Sequence, residues 1–284
     1  MSSSHSSGVV IEREGFKLRI DAMDSLGLGA GTPFEPETLA ALQQWVRPGM
    51  TVVDVGANIG YFTLHLSRLV GEQGSVHAFE PEPVNFSILT ENIAANVLTN
   101  VALHHAAVGR ERGEASLHIS DFNGGMHRLY ESVCCVGPAV RVPVLRIDDV
   151  LANSTVDLIK IDIEGFEEAA LRGAENCLRQ NADIKIITEY CPASMLEAGG
   201  KPSEFLAYLH GLGLRPSQLD GTPIDLAELL ADAHRYEQVA FSRFLSDCNG
   251  KSNPEILDAV VALAAKLGCK RPMIENLLFS RPKT

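Results

Sequence analysis

Two apolar runs end on groups able to move a proton. Asp157-Leu-Ile-Lys-Ile-Asp-Ile163 carries Lys160 and Asp162 and leads into Glu164-Gly165, and Asp183-Ile-Lys-Ile-Ile-Thr-Glu189 ends on Glu189. Alternate side chains of an extended segment share a side, so Lys160, Asp162 and Glu164 are expected to face one way. A carboxylate within about 3 Å of a hydroxyl can act as its general base, an effect of about 10²–10⁴-fold. Asp162 is the first choice for that role and Glu189 the second, with Glu164 beside them. The competing reading makes Lys160 and one carboxylate a buried ion pair. These oxygens would also suit Mg²⁺, but two carboxylates make a thin metal site, and metal independence is the expectation. Rival bases are His104 and His105, which end another run, and His127 beside Gly124-Gly125.

A second constellation lies upstream. Asp54-Val-Gly56-Ala-Asn-Ile-Gly60 follows the apolar run Thr51–Val55 and opens a helix. A dinucleotide fingerprint would place a glycine where Asn58 stands, so that the backbone could approach a pyrophosphate. Without that glycine, a tight turn at Gly56, close packing at Gly60 and the Asp54 carboxylate remain. Glu80, twenty residues beyond Gly60, stands where an acidic side chain accepts hydrogen bonds from ribose hydroxyls. A nucleoside lacking a diphosphate points to S-adenosylmethionine rather than a nicotinamide dinucleotide.

The elements that must hold these groups alternate. Strands are expected at Thr51–Val55, Ser75–Phe79, Val101–His105, 157–163 and 183–189, with helices at 61–70, 83–96 and about 167–179 between or after them. Two extended pieces flank a loop at 121–125, a helix is expected at 203–211, and closing strands at 214–219 and 239–244. Such alternation implies an α/β fold, a doubly wound, mostly parallel sheet with helices on both faces. Before it come a hairpin around Glu14-Gly15 and a short helix opening at Glu35-Pro36, within residues 9–49. After the main domain, 50–249, a helical appendage is expected over 250–284. Asn253-Pro254 starts its first helix, which ends at Gly268, and a shorter one covers about 273–279. The apolar stripe of the first fits a core helix, a dimer surface or a lid. Residues 1–8 read as disordered or tag-like.

Four motifs in order, Asp54-Val-Gly-Ala-Asn-Ile-Gly-Tyr-Phe62, Phe79-Glu-Pro-Glu-Pro83 with Asn85, Lys160-Ile-Asp-Ile-Glu-Gly165 with Glu167, and Glu189, resemble the FkbM family of methyltransferases. Phe34-Glu-Pro-Glu37 ahead of the first central strand fits the same pattern. The resemblance spans about residues 30–245. It implies the class I (Rossmann-like) methyltransferase fold, S-adenosylmethionine as methyl donor, and O-methylation of a hydroxyl on a sugar or natural product. Cofactor contacts are implied at Asp54, Gly56, Ala57, Asn58, Gly60, Tyr61, Glu80, Pro81, Asn85, Ala107 and Asp162.

Composition agrees with that class. The 284 residues are 45% hydrophobic and carry a net charge of -12, which with no basic block argues against nucleic acid as partner. An amino-methylating enzyme of this fold would show an Asn/Asp-Pro-Pro-aromatic motif where Asp162-Ile-Glu-Gly165 stands. No run approaches the roughly 18 apolar residues of a membrane span. The six cysteines, Cys134, Cys135, Cys177, Cys191, Cys248 and Cys269, include no CxxC pair, and a reducing cytoplasm is the expectation. A non-catalytic binding protein that keeps the nucleoside site is the alternative from another class.

Overall fold

A computed structural model describes residues 8–31, 33–120, 123–132, 135, 137–152, 154–239, 244, 248, 253–271 and 274–282. Strands β1 (Val10–Arg13) and β2 (Phe16–Arg19) form an antiparallel hairpin. Its two turn residues, Glu14 and Gly15, both have positive φ, 51° and 80°, the pairing that suits the twist of a two-residue hairpin. Helix α1 (Pro36–Trp45) starts with proline at its first position. Then come β3 (Thr51–Val55), α2 (Tyr61–Val70), β4 (Ser75–Phe79), α3 (Pro83–Ala95), β5 (Val101–His104), β6 (Ala107–Val108), β7 (Gly113–His118), β8 (Ala139–Leu145), α4 (Ile147–Val150) and β9 (Leu158–Ile161). The chain continues through α5 (Glu167–Arg172), α6 (Glu175–Gln180), β10 (Lys185–Tyr190), α7 (Pro192–Glu197), α8 (Pro202–Gly211), β11 (Arg215–Ser217), α9 (Leu226–Glu237), α10 (Asn253–Leu267) and β12 (Glu275–Ser280).

The central sheet runs β11-β12-β10-β9-β3-β4-β5. Its strands are parallel except β12, which pairs antiparallel with both β10 and β11. Alternation along β3 divides the core. Val52 packs with Leu42, Leu64 and Leu89 from α1, α2 and α3, while Val53 and Val55 pack with Leu171, Leu178 and Phe205 on the other face. A side sheet of β6, β8 and β7 carries the loop between β7 and β8 toward the ends of β3 and β4. The chain leaves β3 first toward β4 and β5 and later returns on its other side as β9 and β10. The order therefore reverses beside β3, where ligands bind in sheets of this kind.

Three sequence expectations change. The short helix expected at about 273–279 is strand β12; residue 273 lies outside the described residues. Leu277 and Phe279 enter the core on one face and Leu278 on the other, and a short apolar run buried on both faces is indistinguishable from a helix segment by periodicity. The closing strand expected at 239–244 is absent where described: Val239 follows the last turn of α9, Phe244 is helical, and 240–243 lie outside the described residues. The helix expected over 167–179 is two. It breaks at Gly173, where a Cβ would lie 2.1 Å from the Gly109 carbonyl oxygen, and restarts where the Asp148 carboxylate accepts from the Asn176 and Cys177 N–H groups at 3.1 and 3.0 Å.

Candidate functional site

The β3–α2 turn is shaped by close approach. Gly56 has φ 79°, and a Cβ there would lie 2.0 Å from the Asp162 carbonyl oxygen, so only glycine lets the ends of β3 and β9 meet. Gly60, φ 93°, begins α2 against Leu89, whose Cδ1 a Cβ would meet at 2.6 Å. Between them Asn58 has φ 50°. Its N–H donates to Glu80 Oε2 at 2.8 Å, and Glu80 Oε1 accepts from the Glu82 N–H at 2.9 Å. Each Glu80 oxygen retains acceptor capacity. Burial raises the Glu80 carboxyl to about 7 against the pull of those two N–H donors.

Across this turn lies the β7–β8 loop. The Gly124 carbonyl accepts from the side-chain amides of Asn58 at 2.9 Å and Asn85 at 2.7 Å, and the Gly124 N–H donates to Ser25 Oγ at 2.9 Å. Gly56, Asn58, Glu80, Pro81, Asn85, Ala107 and Asp162, all expected cofactor contacts, line one cavity. Ala57 and Tyr61 line its neighbour, which also has Gly56, Asn58, Asp162 and Glu164 in its wall. Asp54 and Gly60 lie behind the cavities. Asp54 is fully buried, accepts from the Thr63 hydroxyl at 2.6 Å and faces Lys160 Nζ at 3.8 Å.

The neighbouring cavity is acidic. Glu35, Asp162, Glu164 and Glu189 line it together with Lys160. Lys160 Nζ lies 3.5 Å from Asp162 Oδ2 and 4.9 Å from the centre of the Phe62 ring. Burial alone would lower the Lys160 ammonium, but Asp162, Asp54 and Glu35 outweigh it and hold it charged. Lys160 is thus both the buried ion pair and a wall of the cavity. Burial, then Glu164 and Asp162, push Glu189 well above the ordinary carboxylate range. Burial followed by Asp162 raises Glu35. Among the described residues no group of three or more His, Cys, Asp or Glu side chains is arranged to hold a metal ion.

Glu164 reaches this cavity by a different route from the alternation expected. Strand β9 ends at Ile161, and Glu164 sits in a turn with φ 57°, followed by Gly165 at 99°. Burial raises its carboxyl, offset by Arg128, whose guanidinium donates to it at 3.0 Å and also bonds Glu197. Tyr130 completes the clasp, its hydroxyl donating to the Glu164 carbonyl at 2.7 Å.

The histidines divide. His104 stacks on Phe79 and His77, and burial with the neighbouring His77 lowers it to about 4. His105 stacks on Phe86. Both are packed side chains. His127 lines the cofactor-side cavity, with Nδ1 facing the Ser120 N–H at 3.1 Å. Sequence reasoning missed Glu35 as a site residue, although Phe34-Glu-Pro-Glu37 flagged its segment, and missed Met126, Arg128 and Glu197, for which no local signal exists. Cys135 is buried, and Cys134 lies outside the described residues.

Comparison with known proteins follows this geometry. Residues 54–216 match the model of the methyltransferase FkbM domain, more than half of the chain. Methyltransferase 1 of Beauveria bassiana is 29% identical over 207 residues, covering 65% of this chain and 80% of that protein. The 31-O-demethyl-FK506 methyltransferase FkbM of Streptomyces tacrolimicus is 29% identical over 199 residues, covering 59% and 74%. Methyltransferase sdnD of Sordaria araneosa is 30% identical over 156 residues, covering 44% and 60%.

Proposed function

The chain belongs to the FkbM family of S-adenosylmethionine-dependent methyltransferases, and on that premise we propose that it methylates a hydroxyl group of a small molecule, with a carboxylate as general base. One observation carries this reading: the cavity bounded by Gly56, Asn58 and Glu80 shares the wall residues Asp162 and Glu164 with a second cavity that ends on Glu189. Donor and acceptor can thus meet across one seam. A relative named for O-methylation of a macrocyclic natural product supports oxygen as the accepting atom.

S-adenosylmethionine, when bound, supplies an activated methyl on a sulfonium and leaves as a neutral thioether. The chain's own residues hold, orient and deprotonate. Glu80 offers its spare acceptor sites to ribose hydroxyls. Asn58 and Asn85 present amides that now hold the Gly124 carbonyl. The cavity they line encloses about 60 Å³, well below the roughly 300–1,000 Å³ of small-molecule sites. The loop carrying Gly124 therefore withdraws to admit a nucleoside, and the two amides exchange partners. Asp54, Gly60 and Thr63 support the turn from behind, and Ala57, Tyr61, Pro81 and Ala107 supply its remaining walls.

On the acceptor side Asp162 stands at the seam, fixed by Lys160, and in-line positioning there accounts for much of the rate. Glu189 has the raised proton affinity that a general base needs near neutral pH, and this places it ahead of Asp162 for taking the hydroxyl proton. Glu164, clasped by Arg128, adds negative charge that keeps Glu189 basic.

The deciding experiment is calorimetric titration of S-adenosylhomocysteine into the wild-type protein, followed by transfer of a radiolabelled methyl group to hydroxyl-bearing extracts. Micromolar binding and alkali-stable label in an ether are expected. Absence of binding would remove the cofactor assignment, and label on nitrogen would remove the hydroxyl.

A further inference from the structure

We propose that the acceptor is an elongated, hydroxyl-rich molecule whose reacting end enters the acidic cavity while the rest lies in a groove along α1; this rests on the methyltransferase reading above. The acidic cavity encloses about 170 Å³, below the roughly 300–1,000 Å³ usual for a small-molecule site. Glu35 is one of its walls and is also a wall of a groove of about 880 Å³. An acceptor larger than the cavity has this groove as its continuation.

The groove is built, not incidental. Glu37, Ala40, Ala41 and Gln44 line one side at three- and four-residue helical spacing along α1. Asp220, Lys270 and Asn276 are among the residues opposite. At the far end the Gln44 amide donates to the Asp220 carbonyl at 3.0 Å and Trp45 Nε1 to the Leu219 carbonyl at 2.8 Å, which tie the turn at 218–221 to α1. From Glu35 to Gln44 the helix rises about 14 Å, so the groove can hold several linked units.

Its junction with the cavity is held deliberately. Glu35 has φ 40°, left-handed backbone that a glutamate keeps only when its surroundings impose it. Pro36 follows, the Thr38 hydroxyl donates to Glu35 Oε2 at 2.9 Å, and the Asn276 amide donates to the same oxygen at 3.1 Å. Asn276 comes from β12, beside Glu189 of β10, so one pair of strands serves both compartments.

Chemistry selects the occupant. The walls interleave acceptors, Glu37 and Asp220, with donors, Gln44, Lys270 and Asn276, around small Ala40. A hydroxyl both donates and accepts and so satisfies either kind. An apolar chain would leave them without hydrogen bonds, and an anionic one would meet Glu35, Glu37 and Asp220 in a chain of net charge -12. A glycan or glycoside fits.

The test uses radiolabelled S-adenosylmethionine and glycosides of glucose, galactose, mannose and rhamnose with one to four rings, with S-adenosylhomocysteine binding measured in parallel. Catalytic efficiency is expected to rise at least tenfold from one ring to three for the sugar accepted. Ala40→Trp, an exposed change in mid-groove, should abolish that gain while leaving single-ring transfer and S-adenosylhomocysteine binding unchanged, and Gln44→Trp should do the same. Efficiency independent of ring number, an unaffected Ala40→Trp enzyme, or no transfer to any of these glycosides by a protein that binds S-adenosylhomocysteine would each overturn the proposal. Wild-type protein that fails to bind S-adenosylhomocysteine would locate the failure in the methyltransferase reading, and the proposal would fall with it.

Discussion

On the β3–β4 side of the cleft, Glu80 takes its hydrogen bonds from backbone N–H groups of its own turn and of the preceding strand–helix turn. On the β9–β10 side, carboxylates from the N-terminal segment, the turn after β9 and the end of β10 gather around a single lysine. The first half is preformed by main-chain geometry and needs only glycines in the right places. The second depends on a balance of buried charge and on side chains brought from across the molecule. Binding and chemistry should therefore separate under mutation.

The sharpest separation comes from Glu189→Gln. Methyl transfer should fall about 10²–10⁴-fold, with S-adenosylhomocysteine affinity within twofold of wild type; a change in affinity as large as the change in rate would merge the two halves. Asp162→Asn should lower both, because Asp162 borders both cavities.

Lys160→Met attacks the charge balance alone. It leaves Asp54, Asp162 and Glu35 without their common cation, and removing one partner of a buried ion pair costs about 3–5 kcal/mol. Urea unfolding reads this directly, and a variant within about 1 kcal/mol of wild type would show that the carboxylates are neutral without it.

Glu80→Ala sits on the other side. It should weaken S-adenosylhomocysteine at least tenfold, since hydrogen bonds to a charged group contribute about 1.5–3 kcal/mol each, while single-turnover transfer at saturating donor stays within a few-fold. An unchanged dissociation constant removes Glu80 from the site.

The smallest effect is a pH slope. Glu80 and Glu167 are each raised by burial from 4.5 to about 7. Between those values the folded chain holds protons that the unfolded chain has released, so this contribution to stability is present at low pH and is lost as pH rises through about 7. The melting temperature of the ligand-free protein should fall between pH 5.5 and 8, and Glu80→Gln should flatten the decline. S-adenosylhomocysteine affinity should rise over the same range, because ribose hydroxyls need the ionised carboxylate. A melting temperature that climbs through this window contradicts the assignment.

The same contrast explains what could be read from the sequence. Gly56, Asn58, Gly60 and Glu80 sit within 25 residues, and each carries its backbone requirement in its residue type, so the cofactor side and the parallel strands around it were legible. Asp162 and Glu189 were legible because they end continuous apolar runs. Glu35 was not, since its place in the site depends on Asn276, a strand that enters the sheet far along the chain. Arg128 and Glu197 meet only after the β7–β8 loop folds against α7, which no local pattern encodes. Glu164 was found for the wrong reason: strand alternation stops at Ile161, and a left-handed turn brings it to the cavity.

Strand β12 also constrains how the molecule is made. Strands β10 and β11 emerge from the ribosome with facing edges whose N–H and C=O groups find partners only when residues 275–280 have been synthesised. Until then the nascent protein exposes two unpaired strand edges around an apolar gap sized for Leu277, Leu278 and Phe279, the kind of template that recruits foreign strands. Chaperone dependence during translation should accordingly peak after β11 and end once β12 has cleared the exit tunnel.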